Sequence, residues 1–251
     1  MGLTEVLLFF SVSFIAATIN SVAGGGTFLT FPVFIMSGLT SLQANIMSTI
    51  ALWPGTLASA YGYKNELEMD KTILKPLLFV SLVGGICGST MLLLTPETVF
   101  SVLVPWLLLL ATCVFTFGNR AISIIRKDQT RAPSKGFVYA GMLFIAVYGG
   151  YFGAGIGILT LAMLQLMGMS HIHKMNALKT LITSAINAVT AVIFMCSGKV
   201  VWPLAFVMVL GGISGGYVGA RLALKVAPQK VRALIICIGF GMTTYFFLHN
   251  A

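Results

Sequence analysis

Six polar residues, Asn176, Lys179, Thr180, Thr183, Asn187 and Thr190, are set into an otherwise apolar run, MNALKTLITSAINAVTAVIFMC, at residues 175–196. At about 100° per residue they fall within an arc of roughly 100°. A helix here would carry one polar stripe on a surface of Ala, Leu, Ile, Val, Met and Phe. The chemistry this offers is recognition. Lys179 supplies a full positive charge, and the Asn and Thr side chains supply directional hydrogen bonds. An ionisable side chain inside a spanning helix is costly and marks a functional site by default. Lys179 lies about 6 Å from the helix start by helical rise, so snorkelling to the surface is the competing reading. Its place on the stripe favours a site. For the Asn and Thr residues, interhelical hydrogen bonding stays an open alternative.

The pattern occurs twice. Asn45, Ser48, Thr49, Thr56 and Ser59 stand at the matching positions of NIMSTIALWPGTLAS, each 131 residues before its counterpart. Leu52 takes the place of Thr183, and Ser48 takes the place of Lys179. Each stripe is preceded by a glycine-rich interruption. The first is Gly24-Gly25-Gly26-Thr27 and the second is Gly153-Ala154-Gly155-Ile156-Gly157, with Gly25 and Gly155, and Thr30 and Thr160, 130 residues apart. Glycine runs break helices, and irregular backbone at membrane depth is tolerated only where it is buried in protein or lines a cavity. The second run looks like a nucleotide loop only superficially, because no soluble strand precedes it and no acidic ribose partner follows. A third matched block, Pro76 to Gly84 and Pro203 to Gly211, is offset by 127 residues, and its GxxxG spacings (Gly84 and Gly88; Gly211, Gly215 and Gly219) read as helix-packing faces.

Matched breaks in two repeats point to the central site of a secondary transporter. Amides at a broken helix's start attract anions, and Lys179 adds a charge of the same sign. The acidic residues Glu5, Glu66, Glu68, Asp70, Glu97 and Asp128 all fall at termini, in expected loops or at span ends. No carboxylate is therefore expected at membrane depth for a cation, a proton relay or a metal. The expected substrate-binding set is Lys179, Asn176, Thr180, Thr183, Asn187, Asn45, Ser48, Thr49, Gly24, Gly25, Gly26, Thr27, Gly153, Gly155 and Gly157. No catalytic residue, metal or cofactor is expected. His171 and His173 read as loop residues, though coupling through them or through Lys179 stays open.

These features require elements that can hold them in a bilayer. The chain is 58% hydrophobic and 8% charged, with a mean hydropathy of +0.99. Average proteins have about 25% charged residues, so the composition excludes a soluble domain of this length. Candidate spans lie at about 3–22, 27–38, 43–62, 72–94, 98–118, 136–152, 156–168, 175–196, 201–224 and 230–248. The segments at 27–38 and 156–168 are short for a hydrocarbon core of about 30 Å. The expected fold is thus an all-α polytopic membrane protein of two homologous repeats, with about eight full transmembrane helices and two short broken or re-entrant segments. Residues 1–118 form the first repeat, 119–135 a linker and 136–251 the second repeat. The first span lacks a basic flank and reads as retained, not cleaved.

The net charge of +9 is better explained by topology than by nucleic acid. Arg120, Arg126, Lys127, Arg131 and Lys135 place the linker in the cytoplasm. Lys64, Lys71 and Lys75, and Arg221, Lys225, Lys230 and Arg232, fall on the same side. Cys87, Cys113, Cys196 and Cys237 sit in apolar spans without metal or CxxC spacing and read as packing residues.

NSVAGGGTFLTFP and NIMST in the first half, and FGAGIGILT, MNALKT and GGYVGARLAL in the second, resemble the TauE/SafE sulfite-exporter family, also called toluene-sulfonate uptake permeases, over essentially the whole chain. The resemblance implies a duplicated carrier of the bacterial inner membrane for sulfite, organosulfonates or other sulfur-containing anions. The expected function is secondary transport of such an anion by alternating access, with one half rocking against the other. The expected partners are the anion and the lipid bilayer; a coupling proton or ion and a homodimer are left open. A passive anion channel is the alternative within transport. An intramembrane enzyme is disfavoured, since a nucleophile needs a base and the His residues lie in a loop and at the C-terminal end. A structural scaffold would predict that stripe substitutions alter assembly and leave flux untouched.

Overall fold

A computed structural model describes residues 2–22, 24–66, 71–128, 133–169, 171–223 and 228–249. Ten α-helices follow one another: α1 (Leu3–Val22), α2 (Thr27–Met36), α3 (Ser41–Gly62), α4 (Lys71–Leu94), α5 (Glu97–Asp128), α6 (Lys135–Tyr151), α7 (Ile156–Leu166), α8 (Ile172–Met195), α9 (Trp202–Ala223) and α10 (Pro228–His249). No strand occurs among the described residues.

Five helical stretches, Leu3–Val22, Thr72–Leu94, Glu97–Gly118, Ile172–Met195 and Trp202–Leu222, are long and apolar enough to cross a membrane. Their outward faces are apolar: Phe79, Trp106 and Phe206 are 67%, 60% and 65% exposed. Such a surface belongs in lipid, since large contiguous apolar patches are rare on soluble proteins. The helix α6 has 17 residues, and α3 is interrupted by its own polar stripe, which is why these two do not read as spans by length and composition.

Local signals account for the helix ends. Thr40 and Gln43 form a reciprocal capping box at the start of α3. The Glu97 carboxylate then accepts from the Thr40 hydroxyl at 3.0 Å and from the Leu42 amide at 3.1 Å, so an acidic group sits at the positive end of α3. Ser134 caps α6 by accepting from the Phe137 amide. The helix α5 runs ten residues further than the expected span end at 118, because AISIIRKD consists largely of residues that tolerate a helix well outside lipid.

Of the basic residues that set the expected topology, Arg131 and Lys225 lie outside the described residues, and the side chains of Lys71, Arg120, Arg126, Lys127, Lys230 and Arg232 lie outside the described part as well. So do Ala23 of the first glycine motif, Glu68 and Asp70.

The packing pairs helices from opposite ends of the sequence. The helix α1 packs on α9 as α6 packs on α4; α3 packs on α9 as α8 packs on α4; α5 touches α7 as α10 touches α2. Two further contacts, α3 with α8 and α5 with α10, pair equivalent helices directly. Exchanging α1–α5 with α6–α10 swaps the members of each of the first three pairs of contacts and leaves the last two unchanged.

Glycines permit the close crossings. A Cβ on Gly215 would collide with the Phe14 carbonyl, one on Gly216 with the Gly55 carbonyl, and one on Gly88 with the Val147 carbonyl. The hydroxyls of Thr18 and Ser59 donate to the Gly215 and Gly216 carbonyls at 3.0 Å each, tying α1 and α3 to α9. An aromatic layer around α2 fills the centre, where Phe28, Phe31, Phe34, Phe100, Phe115 and Phe152 are fully buried.

Two stability outcomes follow. Gly88→Leu or Gly215→Leu should cost at least about 1–3 kcal/mol by overpacking and lower the thermal transition of the detergent-purified protein, whereas Gly136→Ala, with open space around it, should leave it unchanged. Glu97→Ala should cost about 0.5–2 kcal/mol through the lost cap, read from the same melting curve.

Candidate functional site

The two striped helices face each other. Ser48, Thr49, Leu52, Thr56 and Ser59 of α3, and Lys179, Thr180, Thr183 and Asn187 of α8, line one narrow pocket. The pocket is completed by Ala17, Asn20 and Ser21 from the end of α1, Thr27 from the start of α2, and Gly153, Ile156 and Gly157 from the second interruption and the start of α7. Both glycine breaks therefore meet at the space between the stripes.

The backbone at the breaks shows why glycine is required there. Gly24, Gly25, Gly153 and Gly155 all have φ between 79° and 88°, a region that other residues enter only at a cost. The two breaks also touch. A Cβ on Gly157 would lie 3.3 Å from the Gly24 Cα and 3.5 Å from the Lys179 Cδ. The lysine stem thus runs along bare backbone at the start of α7.

Lys179 is 1% exposed. Its Nζ donates to the Ser21 carbonyl at 3.1 Å. That carbonyl belongs to the last turn of α1, where the helix leaves acceptors without intrahelical partners, so a buried ammonium meets a buried orphan acceptor. Snorkelling is thereby overturned: the amine points inward, to the junction of the two breaks. The second half has a counterpart. Asn45 Nδ2 donates to the Tyr151 carbonyl, in the last turn of α6, at 2.9 Å. Each striped helix thus satisfies the broken helix end contributed by the opposite half of the sequence.

The hydroxyls are arranged less symmetrically. Thr49, Thr180 and Thr183 donate back to carbonyls of their own helices, the usual resting bond of a mid-helix threonine. Ser48 is fully buried and accepts from the Thr30 hydroxyl at 2.9 Å. Tyr148 fastens the second break by donating to the Ala154 carbonyl at 2.8 Å.

Of the residues expected to bind substrate, Lys179, Thr180, Thr183, Asn187, Ser48, Thr49, Thr27, Gly153 and Gly157 line the pocket. Asn45 and Asn176 do not; they are buried behind it, each with a side-chain oxygen lacking a partner. Gly24 packs on Gly157, Gly25 against Phe115, Gly26 against Ala16 and Gly155 beside Ala111, so these four build the breaks without lining the space. Thr190 is buried away from the pocket. The structure adds Ala17, Asn20, Ser21, Leu52, Thr56, Ser59 and Ile156. Asn20 and Ser21 carry a usable signal, since they immediately precede a helix break, and Thr56 and Ser59 belong to the stripe. Nothing in the sequence marks Ala17 or Ile156.

Lys179 is the one charged side chain in the lining. Among the described residues no cluster of His, Cys, Asp or Glu could hold a metal. His171 precedes α8 as its N-cap residue and His173 lies in the first turn of that helix. The four cysteines are free thiols.

The chain is similar along almost its full length to proteins named as transporters. A "Probable membrane transporter protein" of Haemophilus influenzae is 24% identical, covering 97% of this chain and 94% of the relative. The "Probable membrane transporter protein YfcA" of Escherichia coli K12 is 25% identical, covering 94% and 87%. The "Probable membrane transporter protein ORF9" of a Sinorhizobium species is 24% identical, covering 93% and 88%. No solved structure matches. Residues 9–246 match the family described as "Sulfite exporter TauE/SafE", and the chain is a membrane protein belonging to that family.

Proposed function

We propose that this protein is a secondary transporter of a small anion: sulfite, an organosulfonate or a related sulfur-containing anion. The observation that carries this is the buried Lys179, held where both glycine breaks converge, in a polar pocket whose lining has no carboxylate. An enclosed cation without a counter-charge is an unfinished electrostatic arrangement, and an anion completes it. Gly157 adds its backbone amide, which lies in the first turn of α7 at the positive end of that helix. The relatives' names support membrane transport, and the family's description supports sulfite.

The protein sits in the bacterial inner membrane with the 119–135 region in the cytoplasm. Residues 1–118 and 136–251 are two repeats, with eight full spans and the short α2 and α7. The exchange symmetry of the helix contacts supports the duplication. Those contacts also set the moving parts. Rocking one sequence half against the other would peel α1 from α9 and α6 from α4, the glycine-tight crossings. The bodies that can rock intact are mixed: α1, α3 and α9 against α4, α6 and α8. They meet at α3 and α8, across the pocket. Alternating access is then a change at that seam, and no bond in the substrate is made or broken.

Proteoliposomes holding the wild type should take up labelled sulfite or a small organosulfonate saturably, and external substrate should drive counterflow. Lys179→Ala should lower uptake roughly tenfold or more while size-exclusion elution and helical content stay unchanged. Non-saturating flux without counterflow would identify a channel. Full uptake by Lys179→Ala would remove the lysine from the site.

A further inference from the structure

Four pairs of matched positions line the one pocket: 48 with 179, 49 with 180, 52 with 183 and 56 with 187. The pocket is thus nearly two-fold in backbone and lopsided in chemistry. On α8 the pairs present Lys179, Thr180, Thr183 and Asn187. On α3 they present Ser48, Thr49, Leu52 and Thr56. Charge is confined to one side, and an apolar side chain stands opposite Thr183.

We propose that the site accepts a monoanion, an organosulfonate or hydrogensulfite rather than the sulfite dianion, and rejects dianions of the same size, and that the pairing of Ser48 with Lys179 sets this valence. The inference rests on the anion-transporter reading and narrows its substrate class. In the structure Lys179 bonds a neutral carbonyl, Ser21 O, so no carboxylate in the lining competes with a ligand for it. One anionic charge neutralises it. A second would be left buried without a partner, and removing an unpaired charge from water costs several kcal/mol.

The helix ends do not make up the deficit. A helix start contributes about half a charge, but each break sets a helix end beside a helix start, α1 beside α2 and α6 beside α7, and the opposed dipoles largely offset each other. Ser48, at the position equivalent to Lys179, is fully buried and bonded to Thr30, so it brings a hydroxyl where a second cation would otherwise stand. The substrate's charged head is therefore placed towards α8 and its neutral part towards Leu52.

Methanesulfonate and sulfate test this directly. Both are tetrahedral sulfur anions of similar size, and replacing a methyl group by oxygen changes mainly the charge. The experiment measures inhibition of labelled methanesulfonate uptake by each unlabelled anion in proteoliposomes of the wild type. Sulfate should be at least roughly tenfold weaker as a competitor, and Ser48→Lys should narrow or invert that ratio. Equal inhibition by the two anions on the wild type would overturn the proposal while leaving the anion transporter intact, and this comparison needs no variant to fold. Absence of saturable methanesulfonate uptake, with no stabilisation of the purified protein by the same anion, would overturn the transporter reading and the proposal together.

Discussion

Backbone broken inside an apolar bundle leaves amides and carbonyls that neither water nor lipid can satisfy. The two glycine breaks impose that cost, and the pocket is built from the groups that offset it. Lys179 satisfies the end of α1, Asn45 the end of α6, and Tyr148 the loop before α7. The polar stripes can exist in apolar helices because they face these ends, and the stripes of α3 and α8 need each other for the same reason. The cation that satisfies the break is the same side chain that the proposed anion would meet.

The tight crossings follow from the same constraint. Holding the two breaks against each other, with the Gly24 and Gly157 backbones in contact, requires α1 and α6 to be fixed firmly. Each is clamped by the fourth helix of the opposite half through glycine faces, and Thr18 adds a hydroxyl bond from α1 to the Gly215 carbonyl of α9. The result is an interlaced molecule. Two mixed bundles share one seam, and the seam holds Lys179, the one charged side chain of the pocket lining among the described residues.

Much of this is legible in the sequence for physical reasons. Long apolar runs and glycine clusters fix helix positions to within a few residues, except at α5, where charged helix-formers carry the helix past the expected lipid boundary. The 130- and 131-residue intervals reveal the matched breaks and stripes. Sequence periodicity says which residues share a face, but not how deep that face lies. It therefore groups Asn45 and Asn176 with Lys179, although packing sets them behind the pocket. It likewise cannot separate Gly153 and Gly157, which line the space, from Gly25, Gly26 and Gly155, which pack against side chains or backbone. Ala17 and Ile156 enter because tertiary contact brings them there, and their types carry no signal. Which helices of the two halves interlock is not legible, since pairing between distant helices leaves no local trace.

The proposed anion occupies the space between α3 and α8 beside Lys179. The most direct measurement is the modification rate of Asn187→Cys by a charged thiol reagent, in protein whose four native cysteines are replaced by serine, with and without methanesulfonate. Methanesulfonate should slow the modification, and Lys179→Gln should abolish that protection. A rate that methanesulfonate leaves unchanged, in protein that still transports it, would place the anion elsewhere.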